Sequence, residues 1–103
     1  MLKRMQEKEE AAGATIQDHA WFLYILECKD GSFYTGITKN IDKRFKRHND
    51  GLASRFTRTR LPVKLLYQEP CVSRTSALLR ECAVKALPRK KKEALITAVN
   101  SKL

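Results

Sequence analysis

Trp21-Phe22-Leu23-Tyr24-Ile25-Leu26-Glu27-Cys28-Lys29-Asp30-Gly31-Ser32-Phe33-Tyr34-Thr35-Gly36-Ile37 is the stretch whose reading decides the fold. Residues 22–27 are aromatic and β-rich, residues 32–37 are β-rich again, and the polar Lys29-Asp30-Gly31 between them marks a hairpin. Loop length is critical, because a slip of one residue sends every side chain to the other face. A two-residue loop of Asp30-Gly31 puts Tyr24 and Tyr34 on opposite faces, whereas a three-residue loop with Gly31 left-handed puts them on one. The three-residue loop is the reading taken.

Working outward, Asn40 can cap a helix running to about Asn49, with Gly51 as terminator and Ile41, Arg44, Phe45 and His48 as its inner stripe. Two of those four are not apolar. A basic loop through Arg55, Arg58 and Arg60 leads past Pro62 into a third strand over residues 63–68. Ser73 can cap a helix over residues 75–87, and Pro88 suits the first turn of a last helix that reaches about Asn100. The order ββαβαα predicts an α/β protein with a small, three-stranded, mainly antiparallel sheet flanked by helices.

A chain of 103 residues with 43% hydrophobic residues can build a single core. Its 21 Lys and Arg against 11 Asp and Glu give a formal charge of +10. That excess calls for a polyanionic partner, because neutralising phosphates releases condensed counterions. It is unevenly placed. Residues 1–20 hold Lys3, Arg4 and Lys8 against Glu7, Glu9, Glu10 and Asp18, a net −1, so the part from Trp21 onward carries +11. Residues 1–20 therefore read as a charged extension with some helical tendency, and residues 21–103 as the one domain. With no continuous apolar stretch for a secretory signal or a bilayer span, the expected setting is cytoplasmic, with no membrane partner. Cys28, Cys71 and Cys82 are odd in number and form no Cys-x-x-Cys pair, so reduced thiols are expected and not a disulfide or zinc framework.

Trp21-Phe22-Leu23-Tyr24-Ile25, Tyr34-Thr35-Gly36-Ile37-Thr38 and Asp42-Lys43-Arg44-Phe45-Lys46-Arg47-His48, in that order and spacing, resemble the GIY-YIG nuclease signature. The likeness is greatest to its small stand-alone bacterial branch, the UPF0213-like, URI-type domains. It extends through Thr57-Arg58, Pro62-Val63-Lys64-Leu65-Leu66-Tyr67 and Ala77-Leu78-Leu79-Arg80-Glu81, covering about residues 21–96. The resemblance implies the GIY-YIG nuclease fold and hydrolysis of a DNA phosphodiester with one divalent ion, Mg²⁺ or Mn²⁺. Tyr24 and Tyr34 match the two motif tyrosines, Arg44 the essential arginine, Glu81 the metal-binding glutamate, and His48 a position carrying His or Tyr. Leu23-Tyr24-Ile25 stands where the name-giving pattern has Gly-Ile-Tyr, and Ile37 where some relatives have Lys; no equivalent of the downstream Asn of other branches is assigned.

Each matching residue also has a physical reason to serve. A phenol, with a pKa near about 10, needs nearby cations before it can act as a base at neutral pH. The planar fork of Arg44 suits a phosphoryl oxygen gaining negative charge. A lone carboxylate such as Glu81 suits Mg²⁺, which keeps most of its waters and shares substrate phosphates. The bland alternatives are core aromatics for Tyr24 and Tyr34, a structural ion pair for Arg44, a satisfied core histidine for His48 and a solvated helix residue for Glu81.

Gly36, Lys43, Arg47, Arg55, Arg58, Arg60, Arg89, Lys90, Lys91 and Lys92 are candidate nucleic-acid contacts. Gly36 lets the backbone beside Tyr34 approach a phosphate or a helix closely. The Arg89-Lys90-Lys91-Lys92 run sits in a first helical turn, where cations oppose the dipole unless an anion binds. Phe56 can stack on an unpaired base or simply pack.

The expected function is a metal-dependent DNA endonuclease that is strand- or structure-selective, acting on DNA that includes single-stranded or branched forms. Protein partners would direct it in recombination or DNA repair. The alternatives are a non-catalytic nucleic-acid-binding module on the same scaffold and a basic protein–protein adaptor.

Overall fold

The computed structural model describes residues 21–100, so the expected extension over residues 1–20 lies outside the described residues. Strand β1 (Trp21–Glu27) pairs antiparallel with β2 (Phe33–Thr38), with Tyr24 opposite Gly36 and Leu26 opposite Tyr34. Cys28 N–H donates to Ser32 O at 2.8 Å and Gly31 N–H to Cys28 O at 2.9 Å. The loop is therefore Lys29-Asp30-Gly31, closed by Gly31 at φ +86°. Asp30 Oδ1 accepts from Ser32 N–H (3.0 Å) and Ser32 Oγ (2.6 Å), bonds that hold its carboxyl below the usual range. With three loop residues, the two tyrosines share a face of the sheet, as the sequence predicts.

Helix α1 (Ile41–Asn49) starts where the Asn40 side chain accepts from Lys43 N–H at 3.0 Å. It ends in paired bonds, Leu52 N–H to Arg47 O (2.9 Å) and Gly51 N–H to His48 O (3.0 Å), that need the left-handed φ of +77° at Gly51. The basic loop is not wholly irregular: Ser54 caps a one-turn helix α2 (Arg55–Arg58) by accepting from Phe56 N–H. Strand β3 (Lys64–Cys71) pairs antiparallel with the other edge of β1, with a register shift between Ile25 and Leu26. It runs past the expected end at Gln68. The order β2-β1-β3 makes it an edge strand, where Pro70 can sit without a ladder donor. Ser73 caps α3 (Arg74–Lys85), and Pro88 precedes α4 (Arg89–Asn100), its carbonyl accepting from Lys91 and Lys92 N–H.

Because β1 is central, both of its faces are covered, which explains the apolar run from Leu23 to Leu26. Leu23 and Ile25 pack with Tyr67, Cys71, Ala77, Val84 and Ile96, from β3, α3 and α4. Tyr24, Leu26, Cys28 and Val63 pack on the other face with Tyr34, Ile41, Phe45, Leu61 and Leu65. Each fully buried aliphatic side chain such as Leu23 contributes about 1.5 to 3 kcal/mol. Polar anchors tie the layers together. Glu69 on β3 accepts two bonds from Arg80 of α3 (2.8 and 3.2 Å) and one from the Tyr67 hydroxyl, whose pKa burial pushes up to about 12.

Cys28 and Cys71 are buried and Cys82 is exposed, and all three are free thiols. No helix among the described residues is long and apolar enough to cross a membrane.

Gly31 offers a clean test of the loop, since nothing lies within 4 Å of where its Cβ would stand and only backbone strain would oppose a side chain. Gly31→Ala is expected to cost about 1 kcal/mol in urea denaturation, and Gly31→Asn less, since Asn tolerates positive φ. Equal stability of Gly31→Ala and the parent chain would contradict the left-handed loop.

Candidate active site

Tyr24 projects from the central strand straight across its cross-strand partner. A Cβ built at Gly36 would meet Tyr24 Oη at 2.6 Å and Cζ at 2.8 Å, so glycine is what allows the phenol to lie there. This corrects the expectation for Gly36. The close approach belongs to Tyr24, and the buried Gly36 is covered by a phenol and not presented to a phosphate.

His48, fully buried on the inner stripe of α1, reaches the same phenol: its Nε2 lies 2.9 Å from Tyr24 Oη. Its Nδ1 lies 2.8 Å from Thr57 Oγ1, and that hydroxyl is also 3.4 Å from Ser54 O. We assign the proton positions from this network. Thr57 donates to the Ser54 carbonyl and accepts from His48 Nδ1–H, which leaves Nε2 a lone pair to accept the Tyr24 hydroxyl. Burial, and after it the charge of Arg44, pushes His48 down to about 4, so the imidazole is neutral at pH 7. Burial, with Tyr34 and Glu81 adding to it, raises Tyr24 well above the ordinary phenol, while the charge and hydrogen bonding of Arg44 oppose the rise.

Tyr34 is the more open phenol. Its ring lies 5.0 Å from His48 and 6.4 Å from Tyr24, stacks on Phe56 at 6.1 Å, and its hydroxyl has no hydrogen-bond partner among the described residues. Phe56 thus packs on Tyr34, with the Arg60 guanidinium 4.0 Å from its ring centre.

Arg44 forms no ion pair among the described residues, so the structural-pair alternative for it fails. It borders an open groove of about 450 Å³ shared with Trp21, Thr38, Lys39, Asn40, Lys43 and Arg47. Glu81 on α3 is near enough for its charge to bear on Tyr24, and its side chain, 19% exposed, pairs with Lys85 at 3.3 Å. Among the described residues no group of three or more His, Cys, Asp or Glu comes together. Such a donor set cannot cage a metal alone. A single hard carboxylate does fit an ion that takes its other ligands from water and a phosphate.

The remaining predicted contacts divide. Lys43 and Arg47 face the groove beside Arg44, Arg55 and Arg58 border another of about 240 Å³, and Lys92 joins Tyr34, Phe56 and Lys85 around one of about 230 Å³. Lys90 and Lys91 are exposed. Arg60 and Arg89 are instead engaged within the protein. Arg60 donates to Asp30 (3.1 Å) and Phe56 O (2.8 Å), while Arg89 donates to Glu93 (3.0 Å) and Gly31 O (2.7 Å) and lies 3.7 Å over the Phe33 ring. Arg89 therefore clamps α4 to the hairpin loop. Sequence reasoning missed Thr57 as a site residue; a short polar side chain three after a capping Ser54 is the signal that could have found it.

A three-stranded antiparallel sheet whose paired tyrosines meet an arginine and a histidine from the following helix defines a GIY-YIG catalytic domain, and residues 20–94 match the family of that description. The chain belongs to the UPF0213 branch of the GIY-YIG family. A UPF0213 protein of Desulfotalea psychrophila is 48% identical over 80 residues, covering 77% of this chain and 73% of its own length. One of Bacillus licheniformis is 46% identical over 81 residues, covering 79% and 84%. The solution structure of an Enterococcus protein, from E. faecalis, superposes with a TM-score of 0.53 at 36% identity, covering 77% and 84% of the two chains. That of a UPF0213 protein from Bacillus halodurans gives 0.50 at 44% identity, covering 76% and 83%.

Two outcomes follow from this geometry. Gly36→Ala is expected to cost about 1 to 3 kcal/mol as an overpacked core and to break the Tyr24–His48 bond, read by urea denaturation and by the histidine NMR signals. For His48, the unfolded chain binds a proton near about 6.5 and the folded chain only near about 4, so stability is full above 6.5 and falls as pH drops toward 4. The loss is expected to reach about 3 kcal/mol, and to be much reduced in His48→Gln. A His48 ring that titrates at an ordinary pH by NMR would contradict the buried neutral state.

Proposed function

We propose that this protein is a metal-dependent endonuclease that hydrolyses phosphodiester bonds in DNA, with selection by strand or structure and not by sequence. The observation that carries the proposal is the convergence of Tyr24, Tyr34, Arg44 and His48 on one side of the sheet, with the Glu81 charge bearing on Tyr24.

In this reading Arg44, in no ion pair among the described residues, binds the non-bridging oxygens of the scissile phosphate through its planar fork. Tyr34, whose hydroxyl is unengaged, orients the attacking water. As that water forms its bond to phosphorus, it passes a proton to the Tyr24 oxygen while Tyr24 passes its own to His48 Nε2; the P–O bond to the leaving oxygen breaks, and that oxygen takes a proton from solvent. His48 is a weak base in the free protein. A bound phosphate offsets the Arg44 cation, the second cause of its depressed pKa, and so raises its basicity where it is needed. Thr57 acts as a positioning residue, since its hydroxyl keeps Nε2 the acceptor. Glu81 would hold the divalent ion, which would supply positive charge to offset the negative charge that develops on the phosphate.

The engagement of Glu81 by Lys85 favours a second reading, a binding module without turnover. Incubating the purified chain with labelled single-stranded, duplex and branched DNA, with Mg²⁺, Mn²⁺ or EDTA, separates the two. Expected is ion-dependent nicking of at least one substrate, lowered about 100-fold or more in Arg44→Ala and Glu81→Gln. Thr57→Val should lose activity that Thr57→Ser retains. Absence of cleavage on every substrate, or cleavage indifferent to both site variants, would leave the binding module.

A further inference from the structure

The ion pairs of the described residues engage Lys46, Arg60, Arg80, Lys85 and Arg89, and consume Asp30, Asp50, Glu69, Glu81 and Glu93. None of these residues borders the groove of about 450 Å³ beside Arg44. Its charged lining consists of Lys39, Lys43, Arg44 and Arg47, and it contains no carboxylate. Four cations without acid partners among the described residues lie side by side there, an arrangement that self-repels until an anion enters. Trp21 forms another wall. It is partly buried, packing on the core of the α3 and α4 side while still facing the groove. Lys39 Nζ and the Arg74 guanidinium stand 5.7 and 5.9 Å from its ring centre, at the outer reach of a cation–π contact, so either can yield the ring to a better partner.

A cationic channel with an indole on its wall matches one ligand chemistry, a phosphodiester-linked strand with an unpaired base. The groove shares Arg44 with the tyrosine cluster. On the far side, Tyr34 lines the smaller pocket with Phe56, Lys85 and Lys92, so the candidate site has an open cationic pocket on either side. A strand entering one and leaving by the other would carry a phosphodiester past Arg44 and both phenols.

We infer that the Trp21 groove is a nucleotide subsite: it binds the single-stranded nucleotide flanking the scissile phosphate, with Lys39, Lys43 and Arg47 on its phosphates and Trp21 stacked on its base. This rests on the DNA-acting reading above, and it names the substrate as a strand that is single-stranded, or frayed, beside the cut. A base held in a duplex stack cannot also stack on Trp21.

Trp21 is the only tryptophan of the chain, so its emission reports on this groove alone. The full chain is titrated in EDTA, where cleavage plays no part, with an eight-residue thymidine oligonucleotide, an abasic oligomer of equal length, a blunt duplex and inorganic phosphate. Saturable quenching by the thymidine oligomer is expected, with little quenching by the abasic oligomer or the duplex. Lys39→Gln with Lys43→Gln should weaken the affinity about tenfold and reduce the salt slope by about 1 to 2. Trp21→Leu should weaken single-strand binding about tenfold with Trp21→Phe restoring most of it, circular dichroism confirming the fold of each. Oligonucleotide binding by fluorescence anisotropy without a change in Trp21 emission, or unaltered in the lysine variants, would overturn the subsite. Equal quenching by inorganic phosphate or the abasic oligomer would overturn the stacked base. Quenching as expected from a chain that cuts nothing would uphold the subsite while removing the nuclease reading.

Discussion

The structure on the tyrosine side of the sheet depends on one contact, the Tyr24 phenol laid across Gly36 and bonded to His48. A strand residue ordinarily stands upright between its neighbours. Here the missing Cβ on the paired strand lets an aromatic ring lean over the sheet, and the lean brings its hydroxyl under α1. His48 can then be wholly buried because both ring nitrogens are bonded, one to Tyr24 and one to Thr57. Removing any member leaves a buried polar atom without a partner, which costs about 1 to 3 kcal/mol. The polar chain is thus part of the core as well as of the site.

That contact exists only because the hairpin has an odd number of loop residues. Lys29-Asp30-Gly31 sets Tyr24 opposite Gly36, and the loop is itself held from two sides. Arg60 bonds to Asp30, and Arg89 reaches across from α4 to the Gly31 carbonyl. Two arginines that look like phosphate contacts in the sequence therefore secure the register that aligns the tyrosines. Neither borders the groove beside Arg44, whose four cations form no ion pair among the described residues.

What could be read in the sequence was local. The Asn40 cap, the Gly51 terminator, the left-handed Gly31 and the inner stripe of Ile41, Arg44, Phe45 and His48 follow from short-range rules of backbone and periodicity, and each has its counterpart in the structure. The resemblance supplied the set of site residues. What escaped were pairings between distant segments: Thr57 with His48, Gly36 with Tyr24, Arg89 with the hairpin loop. A run such as Arg55-Phe56-Thr57-Arg58 looks like a solvated basic loop, and nothing within it says that one turn of helix rotates Thr57 inward while its arginines stay out. The third strand reads too short in the sequence, to Gln68, because only its place at the edge of the sheet lets it run on through Pro70, which has no ladder donor.

Arg44 draws these threads into one electrostatic argument. A guanidinium half withdrawn from water is costly without a counter-charge, and acidic side chains elsewhere in the described chain satisfy other cations. Burial, and after it the Arg44 charge, depresses the basicity of His48, while the same charge opposes the rise that burial imposes on Tyr24. An anion seated on Arg44 relieves all of this at once. It supplies the missing counter-charge and offsets the second cause of the low His48 basicity, at an imidazole that already accepts from the Tyr24 hydroxyl. In a site so arranged, an anion that binds Arg44 also raises the basicity of the imidazole at the inner end of the polar chain.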